Sequence, residues 1–278
     1  MKKIITLFII VALLALASVC LAAKPIVVFG AMGVETHHLM NKLEKPRFKK
    51  VANHNCAIGK IDGYPVVVMS TRMGMVNASS AATIAMEKFK PLYALSTGTA
   101  GAHRDQLRLN DIILCDRMCN SNVYVSEPRP RGAGSNGNDW SYEDSEICLN
   151  NQWDRIRYLR SDAKLMAIAK NTPYNKGLLV VGTSTSGDVW NRECDEIDFI
   201  RSNFNTHCED METFAIASVC AKYGVPMLGV RIICNNELIN VTNENVFGAE
   251  DFYVTSANNC QDYVYDVIKG IVKSIRSK

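Results

Sequence analysis

Short apolar runs bounded by glycine, proline or aspartate recur along this chain and alternate with helical patterns. The runs have the length and β-branched content of buried strands, and they cover residues 24–30, 64–70, 92–98, 111–115, 177–182 and 225–234. Amphipathic helical patterns cover residues 76–90, 213–223 and 256–276. This alternation predicts an α/β fold, a three-layer α/β/α sandwich with a twisted, mostly parallel central sheet.

The length and charge of the chain limit its organisation and its partners. A chain of 278 residues with 47% hydrophobic content is long enough for one large domain, which we place at residues 23–278. The net charge of +3 falls to +1 when two of the 31 basic residues, Lys2 and Lys3, leave with an N-terminal leader. A charge so close to zero gives no indication of binding to nucleic acid or to a charged membrane surface.

Residues 1–22 have the pattern of a secretory signal peptide. Lys2 and Lys3 form a basic start, residues 4–16 are apolar, and Ala22 and Ala23 offer a cleavage site with small side chains. A membrane anchor is the alternative, because the apolar stretch is nearly long enough to span a bilayer. We favour cleavage and therefore expect a secreted or extracytoplasmic protein with no stable membrane insertion after the leader is removed.

If the chain is exported, the number of its cysteines indicates whether disulfides form. Nine of the 10 cysteines follow the leader, an odd number in a compartment where thiols tend to pair. We expect one or more disulfides and at least one free thiol. Cys148 and Cys194 lie in polar, loop-like stretches and are the better bridge candidates, whereas Cys220 and Cys234 read as small buried hydrophobic residues. The connectivity stays open.

Glycine, serine, threonine and one acid follow the predicted strands. The segments that carry them are residues 30–35, 70–79, 96–102, 183–191 and 234–236. In parallel α/β folds the carboxyl ends of the strands meet at one edge of the sheet, and ligands bind there. The set therefore predicts a pocket for a small molecule. Residues 120–150 are rich in glycine, proline, asparagine and serine and predict a long irregular loop.

Four motifs in or beside these segments occur in the same order as in a known superfamily. "VVFGAMGVE", "STGTAGA", "SGDVW" and "EDMETFAIASVCAKYGVPMLGVRIICN" resemble the purine nucleoside phosphorylase and uridine phosphorylase superfamily over residues 24–275. The chain looks most like the methylthioadenosine/S-adenosylhomocysteine nucleosidases and the secreted bark storage proteins related to them. The resemblance implies a phosphorylase-like sandwich, a small-molecule nucleoside substrate, no cofactor or metal, and a homodimer.

The resemblance also implies roles for individual residues. Glu35 matches the base that orients water towards the anomeric carbon of the nucleoside, and Thr99 and Gly101 match residues that line the water and ribose side. Glu212 matches the carboxylate that holds the 2′ and 3′ hydroxyls of the ribose, and Met211 matches a methionine that packs on the sugar. Plain helix capping is the alternative for an acid at the start of a helix, and we prefer it for Asp210.

Three further positions are implied to bind the substrate. Trp190 falls where the family places an aromatic ring against the purine, and Asn191 falls where the backbone meets the edge of the base. Packing in the core is the alternative for Trp190. Arg231 matches a residue that holds the ribose end of the pocket, and a salt bridge at the end of a strand is the equally good alternative for it.

The nucleophile that attacks the nucleoside is either water, in a hydrolase, or phosphate, in a phosphorylase. The phosphorolytic relatives carry an arginine just before the "GTTGA" type of turn and an early Gly-Asp-Pro segment, both of which neutralise phosphate. This chain has Ser96 and "GAMGVE" at those places, so we expect a hydrolase. Arg72 lies in a turn where the nucleosidases usually have glycine, and it keeps phosphorolysis open as the alternative.

Asn235 departs from the nucleosidase pattern. The adenine-specific enzymes have an aspartate at this catalytic position, and that aspartate protonates N7 of the leaving purine. An amide cannot donate a proton in this way, although it can hydrogen-bond a purine. Members of the superfamily that prefer 6-oxopurines have an asparagine there. We therefore expect a nucleosidase with a shifted purine preference, and the alternative is a storage or nucleoside-binding protein of the same fold.

Overall fold

The computed structural model describes residues 23–239 and 250–277, with the side chains of the last segment described from Tyr253 onward. The predicted signal peptide lies outside the described residues. No helix among the described residues is long and apolar enough to cross a membrane.

Fourteen strands form one large sheet and two small ones. In chain order they are β1 (Ile26–Gly30), β2 (Glu44–Val51), β3 (His54–Ile61), β4 (Tyr64–Ser70), β5 (Tyr93–Ala102), β6 (Ile112–Asn120), β7 (Tyr124–Val125), β8 (Ser141–Tyr142), β9 (Ser145–Leu149), β10 (Gln152–Ile156), β11 (Leu159–Arg160), β12 (Leu179–Ser186), β13 (Cys208–Asp210) and β14 (Met227–Asn235). Strands β7 and β8 form one two-stranded sheet, β9 and β10 form another, and the other ten form the central sheet.

Within residues 23–239 and 250–277 there are six α-helices and two short 3₁₀ helices. The α-helices are α1 (His37–Lys42), α2 (Met75–Phe89), α3 (Ala163–Lys170), α4 (Cys194–Phe204), α5 (Thr213–Lys222) and α6 (Glu250–Arg276). The 3₁₀ helices are Gly33–Glu35 and Gly137–Asp139. The first of these directly follows β1, so it begins at the carboxyl edge of the sheet.

The central sheet is open on one side and closed on the other. Strands β4, β1, β5 and β14 are parallel neighbours, and β2 and β3 extend this part as an antiparallel hairpin. On the other side β14 also pairs with β6, β6 pairs with β12, β12 pairs with β13, and β13 returns to pair with β5. These five strands therefore form a closed ring, which brings β13 next to the ends of β5 and β14.

Helices cover both faces of the sheet. The apolar side chains of α2 and α5 pack on one face, against residues such as Val27 and Phe29 of β1. Those of α1, α3 and α6 pack on the other face, against Ile26 and Val28. The alternation along β1 shows why continuous apolar runs mark these strands, since both faces are buried. The predicted α/β sandwich is confirmed. Its sheet is mixed, because β3 pairs antiparallel with β2 and β4, β6 with β11 and β14, and β5 with β13.

Two hairpins were not predicted from the sequence because they bury little apolar surface. Strand β2 is exposed along most of its length and carries four basic residues and Pro46, so it has no apolar pattern. The segment 120–150, predicted as an irregular loop, includes strands β7, β8 and β9. The first two pair through only two residues each, and Tyr124 stacks on Trp140 with ring centroids 4.4 Å apart.

The nine cysteines among the described residues are all free thiols in the structure. Six of them, Cys56, Cys115, Cys119, Cys208, Cys220 and Cys260, are buried. Cys148 and Cys194 are partly exposed and remain the candidates for a disulfide, which stays a prediction.

Candidate active site

The predicted site residues lie at the carboxyl edge of the parallel strands. Glu35 ends the 3₁₀ helix after β1, Thr99 and Gly101 lie in β5, and Arg231 and Asn235 lie in β14. The remaining four lie on connections that reach the same edge: Trp190 and Asn191 between β12 and α4, and Met211 and Glu212 between β13 and α5.

Glu35 is buried and held by four hydrogen bonds. Its Oε1 accepts from the backbone N–H and from the hydroxyl of Thr99, both at 2.8 Å. Its Oε2 accepts from the backbone N–H groups of Ala31 and Met32, both at 3.0 Å. The carboxylate is 4% exposed. Because every hydrogen bond is donated to it, the network holds Glu35 as an acceptor in a fixed orientation.

Strand β5 passes close to Glu35 and Arg231 at Gly98. A Cβ atom at Gly98 would lie 2.9 Å from Oε1 of Glu35 and 3.1 Å from Nη1 of Arg231. The first distance is shorter than real Cβ atoms show and the second is tight, so a residue larger than glycine would displace one of these two side chains.

Asp210, and not Glu212, supplies the cap at the start of α5. Oδ1 of Asp210 accepts from the backbone N–H groups of Glu212 and Thr213, both at 2.8 Å. Glu212 makes no capping bond with its side chain. Its carboxylate accepts instead from the backbone N–H of Gly74 at 2.9 Å, across the pocket. Because Asp210 satisfies the helix, Glu212 is free to face the site.

Asp210 also forms a fully buried ion pair with a guanidinium, the only such pair among the described side chains. Nε of Arg231 lies 3.0 Å from Oδ2 of Asp210, and the two side chains are 2% and 1% exposed. Burial alone raises the pKa of Asp210, but Arg231 and the bonds from the start of α5 lower it to about 2. Arg231 donates its other nitrogens to the carbonyl of Val230 and the hydroxyl of Ser96. The salt bridge that was the alternative for Arg231 is therefore present, and its contact with the ribose stays a prediction.

Replacing Asp210 by asparagine is expected to destabilise the chain by about 3–5 kcal/mol, because it leaves the Arg231 charge buried without a partner. Asp116 provides the matched control. It pairs with Arg160 at the same distance of 3.0 Å, but these side chains are 41% and 65% exposed. Asp116→Asn should cost no more than about 1 kcal/mol. Urea unfolding of both variants measures the difference, and equal losses would contradict the assignment.

Burial, together with the nearby carboxylates of Asp210 and Glu35, raises the pKa of Glu212 to about 8 against the opposing effects of Arg231 and of the hydrogen bond from Gly74. The stability that a protonated Glu212 contributes is therefore complete below its ordinary pKa of 4.5 and is lost as the pH rises through about 8.

The unfolding free energy of the parent should accordingly fall more between mildly acidic and mildly alkaline pH than that of Glu212→Gln, which has no group titrating at this position. Urea unfolding at several pH values in this range tests the difference. Parallel pH profiles for the two proteins would show that Glu212 titrates at its ordinary pKa.

The base end of the site contains a polar cluster around Gly101. Nδ2 of Asn235 lies 3.3 Å, and Cγ of Glu209 lies 3.5 Å, from the position that a Cβ atom of Gly101 would take. Glu209 accepts from the backbone N–H of Asn191 at 3.0 Å and from its side-chain amide at 2.7 Å. The cluster thus includes Asn191 and Asn235, the two asparagines that the sequence predicts to contact the purine base.

Three members of this cluster were missed from the sequence. Nε2 of His103 lies 3.1 Å from Oε2 of Glu209. Nδ2 of Asn235 donates to Oε1 of Glu237 at 3.3 Å. His103 directly follows the "STGTAGA" motif, Glu209 precedes the Met-Glu motif, and Glu237 follows "CNN". Their closeness to the motifs was the available signal.

Trp190 and Met211 lie at the more open side of the site. Trp190 is 43% exposed, so its ring is accessible and does not pack in the core. Asp188, two residues earlier, accepts from the backbone N–H of Met75 at 2.7 Å and ties this loop to the start of α2. The loop that carries Trp190 and Asn191 is thereby fixed next to Gly74, which donates to Glu212.

The sequence of this chain is similar to that of known nucleosidases. The model of the family described as "Phosphorylase superfamily" matches residues 25–269. The 5′-methylthioadenosine/S-adenosylhomocysteine nucleosidase of Geobacillus sp. (strain WCH70) is 28% identical over 251 residues, which cover 89% of this chain and 99% of the relative. The nucleosidase of the same name from Shewanella halifaxensis (strain HAW-EB4) is 27% identical over 248 residues, or 87% and 97% of the two chains.

Solved structures share the fold. The 5′-methylthioadenosine/S-adenosylhomocysteine nucleosidase of Neisseria meningitidis in complex with methylthio-immucillin-A superimposes with a TM-score of 0.72 at 21% identity, covering 88% of this chain and 99% of that one. The futalosine hydrolase of Helicobacter pylori strain 26695 gives a TM-score of 0.71 at 20% identity, covering 89% and 98%.

Proposed function

Since the chain belongs to the phosphorylase superfamily, as its motifs predict, we propose that it is a nucleosidase that hydrolyses the N-glycosidic bond of purine nucleosides. The observation that supports this most directly is the pairing of Glu35 and Glu212 at one edge of the sheet, each buried and each free of any ion pair among the described side chains. The predicted enzyme class also agrees with the names of the relatives.

In the proposed reaction Glu35 accepts a proton from the attacking water. The hydroxyl of Thr99, which donates to Oε1 of Glu35, also lies 3.1 Å from the hydroxyl of Tyr253. It can therefore turn towards Tyr253 and leave an Oε1 lone pair for water. The backbone donors of Ala31 and Met32 hold the carboxylate in place during this exchange.

Glu212 binds the ribose in this proposal. A carboxylate can accept hydrogen bonds from two neighbouring hydroxyl groups, and such bonds are stronger than those of a neutral acceptor. The N–H of Gly74 fixes the orientation of Glu212 from the opposite wall. Because the pKa of Glu212 is raised to about 8, binding of a diol to its ionised form releases a proton at neutral pH.

The electrostatics of the pocket favour water over phosphate as the nucleophile. Besides Glu212, three acidic residues at this edge, Glu35, Glu209 and Glu237, are each no more than 7% exposed. In the part of the chain that the structure describes, Arg231 is the only buried lysine or arginine, and Asp210 already pairs with it. Arg72, the residue that kept phosphorolysis open, is exposed. A phosphate dianion would therefore meet several negative charges without a free buried cation.

The finer features of the proposal rest on the sequence. The asparagine at position 235 supports a preference for 6-oxopurine nucleosides such as inosine and guanosine. The leader at residues 1–22 supports export, so the nucleosides would be extracellular and the role one of salvage. The resemblance to the superfamily supports a homodimer.

Release of free base from inosine, guanosine, adenosine and methylthioadenosine tests the proposal. We expect hydrolysis of the 6-oxopurine nucleosides by the parent and weaker binding by Glu212→Gln, by about 1.5–3 kcal/mol, because a charge-assisted bond is lost. A parent that binds nucleosides in calorimetry but releases no base would be a binding or storage protein of this fold.

A further inference from the structure

Trp190 lies on a short loop, residues 187–191, that is tied to the rest of the protein at both ends. Near its start, Asp188 accepts from a backbone N–H at the start of α2 at 2.7 Å. At its end, Asn191 donates to the carboxylate of Glu209 twice, with its backbone N–H at 3.0 Å and its side-chain amide at 2.7 Å. The position of Trp190 therefore depends on how firmly these two anchors hold the loop.

The anchor at Glu209 is itself held by His103. Nε2 of His103 lies 3.1 Å from Oε2 of Glu209, and Nδ1 lies 2.7 Å from the hydroxyl of Thr206. The side chain of His103 is fully buried, and that of Glu209 is 9% exposed. Because each ring nitrogen has a partner, the imidazole cannot turn without breaking a buried hydrogen bond. An ionised carboxylate only accepts, so Nε2 of His103 donates to it.

The Glu209 carboxylate is occupied by these contacts. Its Oε1 accepts from the backbone of Asn191, and its Oε2 accepts from the amide of Asn191 and from His103. No lysine or arginine among the described side chains pairs with Glu209. Its buried charge is therefore stabilised by these donors, and hydrogen bonds to a charged acceptor are stronger than those between neutral groups. Glu209 thus acts on a nucleoside through the loop.

We propose that Glu209, held by His103, is a positioning residue that fixes the loop of residues 187–191 and with it the ring of Trp190 against the base of a bound nucleoside. The inference rests on the proposed nucleosidase activity, because it takes Trp190 as the residue that the base contacts. A loop that is fixed before the substrate arrives does not have to be ordered on binding. The contribution of Glu209 therefore appears in the affinity for the nucleoside and not in the proton transfer to Glu35.

Glu209→Gln tests the proposal, because glutamine keeps the shape of the side chain. In either orientation the new NH₂ group replaces an oxygen to which Asn191 donates, so one anchoring bond is lost. KM for guanosine should rise about tenfold, the effect of losing one hydrogen bond to a charged group. The value of kcat should change by less than about threefold, since binding is weakened equally before and during the reaction.

Glu196→Gln is the matched control. Glu196 is a partly buried acid on α4, five positions after Asn191, and it accepts one hydrogen bond, from the hydroxyl of Tyr142 at 2.9 Å. It makes no printed contact with the loop, so KM for guanosine should stay at the parental value.

The fluorescence anisotropy of Trp190 reports on the loop without any enzyme activity. The chain has three tryptophans, and Trp140→Phe with Trp153→Phe leaves Trp190 as the only one. In this background Glu209→Gln should lower the anisotropy, because the freed loop moves on the nanosecond timescale. His103→Asn should lower it as well. His103→Gln should restore it, because a glutamine amide can still donate to Glu209.

Parental anisotropy in Glu209→Gln overturns the inference even if the variant is less stable in urea, since Glu209 would then support only the fold. A tenfold loss of kcat at the parental KM also overturns it, because Glu209 would then act in the chemistry. If the parent hydrolyses no nucleoside, the proposed function falls, and the anisotropy still decides whether Glu209 fixes the loop. Should the buried variants not fold, Asn191→Ala, at a partly exposed position, removes the 2.7 Å bond and must lower the anisotropy.

Discussion

Glu35→Gln lowers the turnover of every nucleoside substrate by about 10²- to 10⁴-fold, the range expected when a general base is removed. The variant keeps the shape of the side chain and still accepts a hydrogen bond from Thr99 through its amide oxygen. It cannot take a proton from water. The affinity for nucleoside should therefore stay close to that of the parent, and the loss should appear in kcat and not in KM.

Steady-state kinetics with inosine and guanosine measure this effect, and calorimetry of the variant measures the affinity. Glu44→Gln is a suitable control, because Glu44 is an exposed acid on β2 that accepts one hydrogen bond, from the N–H of Gly63. Parental turnover in Glu35→Gln would remove Glu35 from the mechanism. An equal loss in both variants would indicate a general effect on folding.

Asn235→Asp should raise the cleavage of adenosine and methylthioadenosine relative to inosine, by up to about 10² in the ratio of kcat/KM values. The new acid would be buried, since Asn235 is 8% exposed, and it would lie beside the Glu237 carboxylate that now accepts from the amide. Burial and a neighbouring negative charge both raise the pKa of a carboxyl group. A protonated aspartate can donate to N7 of a 6-aminopurine, whereas a 6-oxopurine loses the amide donor to O6.

Asn236→Asp is the matched control for this substitution. Asn236 is also buried, but its amide donates to the backbone carbonyls of Arg104 and Leu107, both at 3.0 Å. Its substitution should reduce stability and leave the ratio between adenine and hypoxanthine nucleosides unchanged. A flat or lower ratio in Asn235→Asp would show that residue 235 does not face the purine.

The strands that position the site were predictable from sequence because both of their faces are buried. The runs that became β1, β4, β5 and β14 are continuous and apolar, and each is followed by glycine, serine, threonine or a polar pair. The position of Glu212 at the start of a helix was also predictable, because the helical pattern begins at the next residue. The sequence could not show that the Glu212 side chain makes no capping bond. That depends on Asp210, which accepts from the two backbone N–H groups that an acid in the first turn usually caps.

The base end needed the structure because long-range contacts create it. Strand β13 has only three residues and no apolar pattern, and its place beside β5 follows from closure of the ring. Only that closure brings Glu209 next to Asn191 and to His103, which is 106 positions away along the chain. The β2–β3 hairpin was not predicted for a different reason. Its outer strand, β2, is exposed and buries too few side chains to give an apolar pattern in the sequence.

Incubation of residues 23–278 with inosine and guanosine at increasing phosphate concentrations, with identification of the sugar product, shows directly which nucleophile cleaves the nucleoside. If water activated at Glu35 attacks, we expect free ribose in an amount equal to the released base, at a rate that phosphate does not increase. Ribose 1-phosphate formed at a rate that rises with phosphate would contradict it and would make the chain a phosphorylase.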